Sequence, residues 1–588
     1  MKLIKKYLRS CIKEVRFRRI LRRWKLLSFR KLLYFPHILN KKERRFFYSL
    51  TLLVIISGLA IFLRIYFKVS YPVAQVGKTY TEGVLKNPRT INPVYATQDA
   101  DRDLARLIFS SILIYNSSGQ VELDLAESLD ISPDAKAYTL TLRKNVFWHD
   151  SEPLTVDDVL FTIKTIQNPL YKSPLRANWQ GVDIEKLDQS TIRFTLRTPY
   201  APFIENLTLG IIPKHLWEKI SPEQALLHEL NLKPVGSGPY KFERFKQAKD
   251  GSIIWYRMQR NSQYYRDGPY LNKIIFVFFK TEEELIAAWR KRDIEGFGPA
   301  PANILREVGE RSSIRTIKMP RIFGVFFNEK KSPLLGRGPV KKAVVLAIDP
   351  TVVARESISG EAIPTSSPLP FVNINSDAGL EFNPDAARKL LKEDGWKDED
   401  GDGILDKKAR QKGKDVLTPL RFTLTTSDWP DLVRGADLIK SMLREVGIDV
   451  VVEKKIFTEL ETSVIRPRNF ELLLFGQVYG YETDPFTFWH SSQIKDPGLN
   501  VTLYSNKRVD GLLEEARRTS NPDLREKKYL EFIGLLQKDI PAVFLYSQLY
   551  LYLLPDSLKG AEIEKISLPS DRFNQINKWH KKTKRVFK

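Results

Sequence analysis

The sequence predicts an α/β body carried behind a single membrane-spanning helix. Three observations lead there. An 18-residue run from Phe46 to Leu63 contains no charged residue. Segments such as Tyr138 to Arg143 and Thr191 to Leu196 alternate polar and apolar residues, the pattern of half-buried strands. Other stretches, clearest at Asp385 to Glu393 and Asp510 to Arg518, repeat their apolar residues at helical spacing. The two kinds of element interleave irregularly, without a repeat of fixed period. That suits α/β or α+β lobes better than one regular barrel.

The apolar run covers ~27 Å as a helix, close to the thickness of a bilayer's hydrocarbon. Arg64 and Lys68 follow it, and their stems can reach back to the interface. A buried core helix and a cleaved export signal are the alternatives. With 45 residues ahead of the run and no A-x-A pattern beside it, a retained anchor is expected. The charge distribution points the same way. Residues 1–45 hold 17 Lys or Arg against two Glu, a net of +15 that leaves about +9 of the total +24 for everything else. The positive-inside rule then places residues 1–45 in the cytoplasm and the chain beyond about residue 70 outside. With more than half of the excess charge in one short arm, the sequence also argues against a nucleic-acid partner. In that arm Leu3, Ile4, Tyr7, Leu8, Cys11, Ile12 and Val15 recur at helical spacing among Lys and Arg, and a second basic, apolar stretch runs from Arg22 to Phe35. Adhesion to the anionic inner leaflet and a bare topology signal both explain this.

Catalytic signatures are missing. There is no GxxxxGK[ST] loop, no HExxH and no GxSxG elbow, and six histidines are scattered along the chain. The single cysteine, Cys11, rules out an intrachain disulfide and a cysteine-based zinc site. Neither catalysis nor a cofactor is expected, although a Ser-His-Asp arrangement or paired carboxylates could assemble from distant positions. One loop invites a structural cation. Asp398, Asp400 and Asp402 alternate as in an EF-type calcium loop, Gly403 stands at the sharp turn and Asp406 at the ninth place, although the twelfth is Ala409 instead of Glu. A solvated Asp/Gly turn is the alternative.

Several local motifs carry physical readings of their own. Thr155 followed by Asp157 and Asp158 reads as a helix N-cap with acids in the first turn. In Pro234 to Tyr240 (PVGSGPY) the two glycines are expected to take positive φ in a tight turn. Taken in order, the motifs resemble the family 5 extracellular solute-binding proteins, which include the oligopeptide-, dipeptide- and nickel-binding components of ABC importers. The resemblance runs through Leu123 to Leu129 (LDLAESL), Val146 to Thr155 (VFWHDSEPLT, with Ser151 where a Gly is usual), PVGSGPY, Gly268 to Ile274, Val340 to Asp349, Asn383 to Leu391, Asp484 to Ser492 and Asp539 to Pro541. It covers roughly residues 79 to 560.

This resemblance implies a two-lobed, periplasmic-binding-protein-like α/β fold with an inserted subdomain. The expected division is a basic arm (1–45), an anchor (46–67), a linker (68–78), a first lobe (79–115, 232–330 and 536–588), the insert (116–231) and a second lobe (331–535). It also implies a peptide or peptide-like solute enclosed between the lobes, ABC permease subunits as partners, and a monomer. A tethered ligand sensor uncoupled from transport is the alternative role. In the family's peptide binders, an acid about four residues before a proline meets the peptide's amino end. Here that place is Tyr481, and the acids are Glu482 and Asp484, among Tyr479, Phe486 and Trp489. Glu482, Asp484, Tyr481, Tyr479 and Trp489 are therefore the expected ligand-binding residues, with Glu482 or Asp484 on a cationic group of the solute. Asp484 capping a turn and Trp489 filling the core is the competing reading.

Overall fold

A computed structural model describes residues 39–308, 312–358, 361–370, 380–411, 414–519 and 521–587. The two basic stretches of the N-terminal arm lie outside the described residues. The chain divides into two compact units, residues 1–73 with 583–588, and residues 74–582.

In the first unit, the helix Lys41–Val69 is long and apolar enough to cross a membrane, and none of its residues is buried. Asn40 and Glu43 close a capping box at its start, satisfying backbone donors the first turn leaves open. The expected linker holds a strand, Ser70–Ala74, that pairs with the strand Thr583–Phe587. Arg585 fastens this pairing, donating to the Ser70 carbonyl at 2.6 Å while its guanidinium lies 4.5 Å from the Phe67 ring.

The second unit is built on a 12-stranded mixed sheet. One half of it carries Thr79–Leu85 beside Lys273–Phe279 in parallel, followed by Ile253–Arg260 and Tyr240–Gln247. The other half carries Arg321–Phe327, Leu472–Val478, Arg421–Ser427 and Asp449–Lys455. The strand Ala542–Pro555 belongs to both. Its first residues pair with Arg321–Phe327 and its last with Ser312–Lys318. The cores divide in the same way: Val543, Leu545 and Tyr546 pack with Val325 and Leu474, whereas Tyr550, Tyr552 and Leu554 pack with Tyr80 and Phe276.

The segment Glu471 to Phe475 (ELLLF) shows why one half reads as nearly continuous hydrophobicity. Leu472 and Leu474 face one core and Leu473 faces another, because successive side chains on a strand point to opposite faces and both faces are covered. The first half is different. At its centre Arg572, 2% exposed, bridges Glu82 at 3.0 Å and Asp103 at 2.6 Å. A four-stranded antiparallel sheet, Ala126–Ile131, Ala137–Leu142, Thr191–Leu196 and Val182–Lys186, with the helix Val156–Gln167, shares this first core through Leu140, Ile192 and Phe194. Thr155 caps that helix in a box with Asp158. Ser151 sits at φ +74°, a left-handed position that favours glycine.

Candidate functional site

The site starts from the helix Asp99–Ile108. Asp101 fixes the chain before it by accepting the amides of Arg89 at 2.6 Å and Thr90 at 2.9 Å. The far end of the helix is pinned by PVGSGPY, for a reason other than the one expected. Neither Gly236 nor Gly238 is among the positive-φ glycines. A Cβ at these positions would instead lie 2.0 Å and 2.7 Å from the Ile108 carbonyl oxygen, so both are glycines of close approach. Anchored in this way, the helix presents Arg102 and Arg106 to a cavity of about 270 Å³. Arg106 donates to the Thr208 carbonyl at 3.3 Å and faces Asp571 at 3.3 Å. Asp571 in turn accepts the amides of Ser567 and Leu568 at 3.1 and 2.8 Å.

The opposite wall comes from the chain leaving the strand Leu472–Val478. Tyr481, 8% exposed, stacks on Tyr115 with ring centroids 3.8 Å apart and planes inclined by 22°. Gly480 lets the backbone come against Glu205, since a Cβ there would lie 2.1 Å from Oε2. The Glu482 amide then donates to the Glu205 carboxylate.

Of the five residues expected from the sequence, Tyr481 lines the cavity and the other four do not. The Glu482 carboxylate accepts from Arg525 at 2.7 Å. Asp484 accepts the Phe486 amide at 3.2 Å and the Arg517 guanidinium at 2.9 and 2.5 Å, so it both caps the turn and holds an ion pair. Arg517 also lies 3.6 Å from the Phe486 ring centroid and 5.0 Å from that of Tyr200. Tyr479 is buried and donates to the Pro368 carbonyl at 2.9 Å. Trp489 is fully buried, with Phe544 at 5.9 Å and Tyr504 at 6.3 Å. Three of the four acids of the expected cation loop, Asp398, Asp400 and Asp406, lie together, with ligand atoms within 4.8 Å of one another. The Asp402 side chain turns to the Ile404 amide at 2.7 Å.

Two groups on the cavity wall were not legible in the sequence. Glu205 lies on the 3₁₀ segment Ala201–Thr208 of the insert, 277 positions from the residue whose amide it accepts. Burial pushes its carboxyl up to about 7, with the neighbouring charges of Glu482 and Asp571 adding to the shift and the Glu482 amide and Lys565 opposing it. The other is Tyr115, 3% exposed, whose hydroxyl finds no hydrogen-bond partner among the described residues. Burial, followed by the charges of Glu205 and Glu482, makes the Tyr115 hydroxyl much harder to ionise. The wall thus offers an acid (Glu205), a hydroxyl donor (Tyr115), two guanidinium groups and stacked rings, a set that fits a molecule carrying both charges and an apolar part. A second cavity, about 420 Å³, lies between Pro299 and Ala300 on one side and Arg321, Trp429 and Tyr546 on the other.

An α/β body with a cavity of mixed charge suits a solute receptor, and comparison with known proteins makes the class specific. Residues 120–497 match the bacterial extracellular solute-binding proteins, family 5, and the chain belongs to that family. It is similar to the oligopeptide-binding protein AppA of Bacillus subtilis, 27% identical over 518 residues that cover 86% of this chain and 92% of that one. The structure of AppA in complex with a nonapeptide superposes with a TM-score of 0.66, covering 86% of this chain and 99% of that one. NikZ of Campylobacter jejuni, solved in complex with Ni(L-His), is 26% identical with a TM-score of 0.66, covering 85% and 99% of the two chains. The dipeptide-binding protein of Escherichia coli is 25% identical over 516 residues, covering 81% of this chain and 91% of that one.

Proposed function

We propose that the protein is a membrane-anchored, extracytoplasmic receptor that encloses a peptide-like solute between its lobes and delivers it to the permease of an ABC importer. The observation that carries the reading is the cavity wall. Among the described residues, half-buried Glu205 makes no ion pair there and the buried Tyr115 hydroxyl no hydrogen bond, beside Arg102, whose nearest acid, Asp99, is 3.9 Å away. A solute ammonium group would complete Glu205, and a carboxylate would meet Arg102. Peptide ligands of AppA and of the Escherichia coli dipeptide-binding protein support the solute class. Nickel with histidine in NikZ leaves room for other amino-acid-like solutes.

In this reading Tyr481 touches the solute. Glu482 acts through its amide, which aims Glu205, while Asp484, Tyr479 and Trp489 hold the segment in place. We take the lobes with the boundaries expected from the sequence, residues 542–555 contributing to the cores of both. The helix Lys41–Val69 is the anchor, with its basic arm in the cytoplasm and the receptor outside, acting as a monomer. The receptor itself needs no cofactor, and any cation on the acidic loop would be structural.

Native mass spectrometry of the purified chain tests the function. A retained mass that fragments as a short peptide or an amino-acid conjugate is expected, and its release by unfolding should leave the apoprotein mass. A retained mass with neither an amine nor a carboxylate would overturn the assignment. Protease added to intact cells should digest the chain beyond residue 74 and spare the arm. Protection of the large unit until lysis would reverse the topology.

A further inference from the structure

We propose that the loop from Asp398 to Asp406 is a calcium-binding site that locks the hairpin Asp406–Gln411 and Lys414–Pro419 onto the second lobe. The loop is folded around its own acids. Asp398 accepts the amides of Gly401 at 2.8 Å and Gly403 at 3.0 Å, and Asp400 accepts that of Asp402 at 3.2 Å. Gly401 and Gly403 both adopt φ +81°, the left-handed turns that bring Asp398 and Asp400 to one side. Carboxylate oxygens of Asp398, Asp400 and Asp406 then come within 4.8 Å of one another.

That crowding alone would describe any solvated acidic turn. Asp406 makes the difference. It is 5% exposed, and its Oδ2 accepts no hydrogen bond among the described residues. A buried carboxylate oxygen left bare beside two other carboxylates is costly unless a cation completes it. Nor is Asp406 free to turn outward. Its backbone exchanges hydrogen bonds with Lys397 at 2.6 and 3.0 Å, it is register partner to Pro419 across the hairpin, and Trp396 and Ile404 are buried on either side of the loop.

The donor set selects the metal. It offers carboxylate oxygen without sulfur or imidazole, which suits a hard cation over zinc. Several carboxylates on an irregular loop suit calcium better than magnesium, which requires near-octahedral geometry and retains its water. The twelfth position of the motif is Ala409, so the bidentate acid of tight EF-type sites is missing. Affinity is therefore expected in the weak range of extracellular modules, about 10⁻⁴–10⁻³ M.

The test is calcium titration of the chelator-stripped, full-length protein in detergent, followed by calorimetry and by thermal melting. One binding event per chain is expected, with a melting temperature that climbs by several degrees at saturating calcium and by much less in equal magnesium. Asp406→Asn keeps the size of the side chain and should weaken calcium binding at least tenfold. Should that variant fail to fold, Asp400→Asn, at an exposed position, is expected to weaken it in the same direction. Solute affinity should be the same with calcium and with chelator, because no residue of the loop lines the solute cavity. Absence of a calcium-dependent melting shift at 10 mM (about ten times the weakest expected constant) in the folded wild-type chain would overturn the site. So would a shift that survives intact in both variants.

Discussion

Acids stand on both sides of the proposed solute cavity, and the two sides treat them differently. On the second-lobe side, Glu482 is held by Arg525 and Asp484 by Arg517, each within 2.7 Å. On the insert side, Glu205 lines the cavity and makes no ion pair among the described residues, and burial holds its carboxyl up near 7. A paired acid is finished, and removing it disturbs structure. An unpaired acid facing a cavity is unfinished, and its natural partner is the molecule that enters. Proximity to the cavity is therefore a weaker guide to a ligand contact than the state of each acid's own partners.

The largest effect expected from this contrast is on binding. Glu205→Gln should weaken the co-purifying solute by well over tenfold, since loss of a buried charged contact typically costs about 2–5 kcal/mol. Glu482→Gln should weaken it by clearly less, its carboxylate being engaged by Arg525. Calorimetry on the two variants ranks them, and a reversed order would move the solute's amine to Glu482. Next in size is a change of stability on the paired side. Arg517→Ala leaves Asp484, 10% exposed, without its cation and should destabilise the empty protein by about 2 kcal/mol in chemical denaturation. A much larger loss of solute affinity than of stability would place Arg517 in the site itself. The smallest expected effect is a gain. Tyr115→Phe deletes a buried hydroxyl that has no partner among the described residues and should stabilise the empty protein by about 1 kcal/mol. It should also cost the solute a hydrogen bond. Destabilisation of the empty protein would show that the hydroxyl already has a partner.

Much of the scaffold was legible in the sequence because it rests on local patterns. The strand Thr191–Leu196, the helix Lys507–Arg518 around the expected Asp510 to Arg518, and the cap at Thr155 emerge where periodicity and capping chemistry place them. The family was legible for the same reason, as a succession of short motifs in order. What local patterns hide is approach between distant segments. The glycines of PVGSGPY were read for their dihedral freedom, whereas the fold uses their lack of a side chain against Ile108. The strand Ala542–Pro555 carries no mark in its sequence that its two halves serve different cores. Glu205 stands in a 3₁₀ segment without periodicity, and nothing in its neighbours shows that a backbone amide 277 positions away comes to meet it. In the 481–486 segment the acids were plain, but their arginines, Arg525 and Arg517, come from two separate helices.

The sign of the proton linkage gives the central claim its sharpest form. Glu205 titrates near 7 in the empty receptor, above its ordinary value, so it favours the folded state at low pH and that contribution fades as pH rises through 7. A cationic solute does the reverse, stabilising the ionised carboxylate and displacing its proton. Solute affinity should consequently rise with pH up to about 7 and level off above it, by up to about tenfold per pH unit. The decisive measurement is calorimetry of solute binding near pH 6 in buffers of different ionisation enthalpy. The wild-type protein is expected to release close to one proton per solute bound, and Glu205→Gln none. Equal proton release from the two proteins, or an affinity indifferent to pH between 5 and 8, would contradict the assignment of Glu205 as the solute's counter-charge.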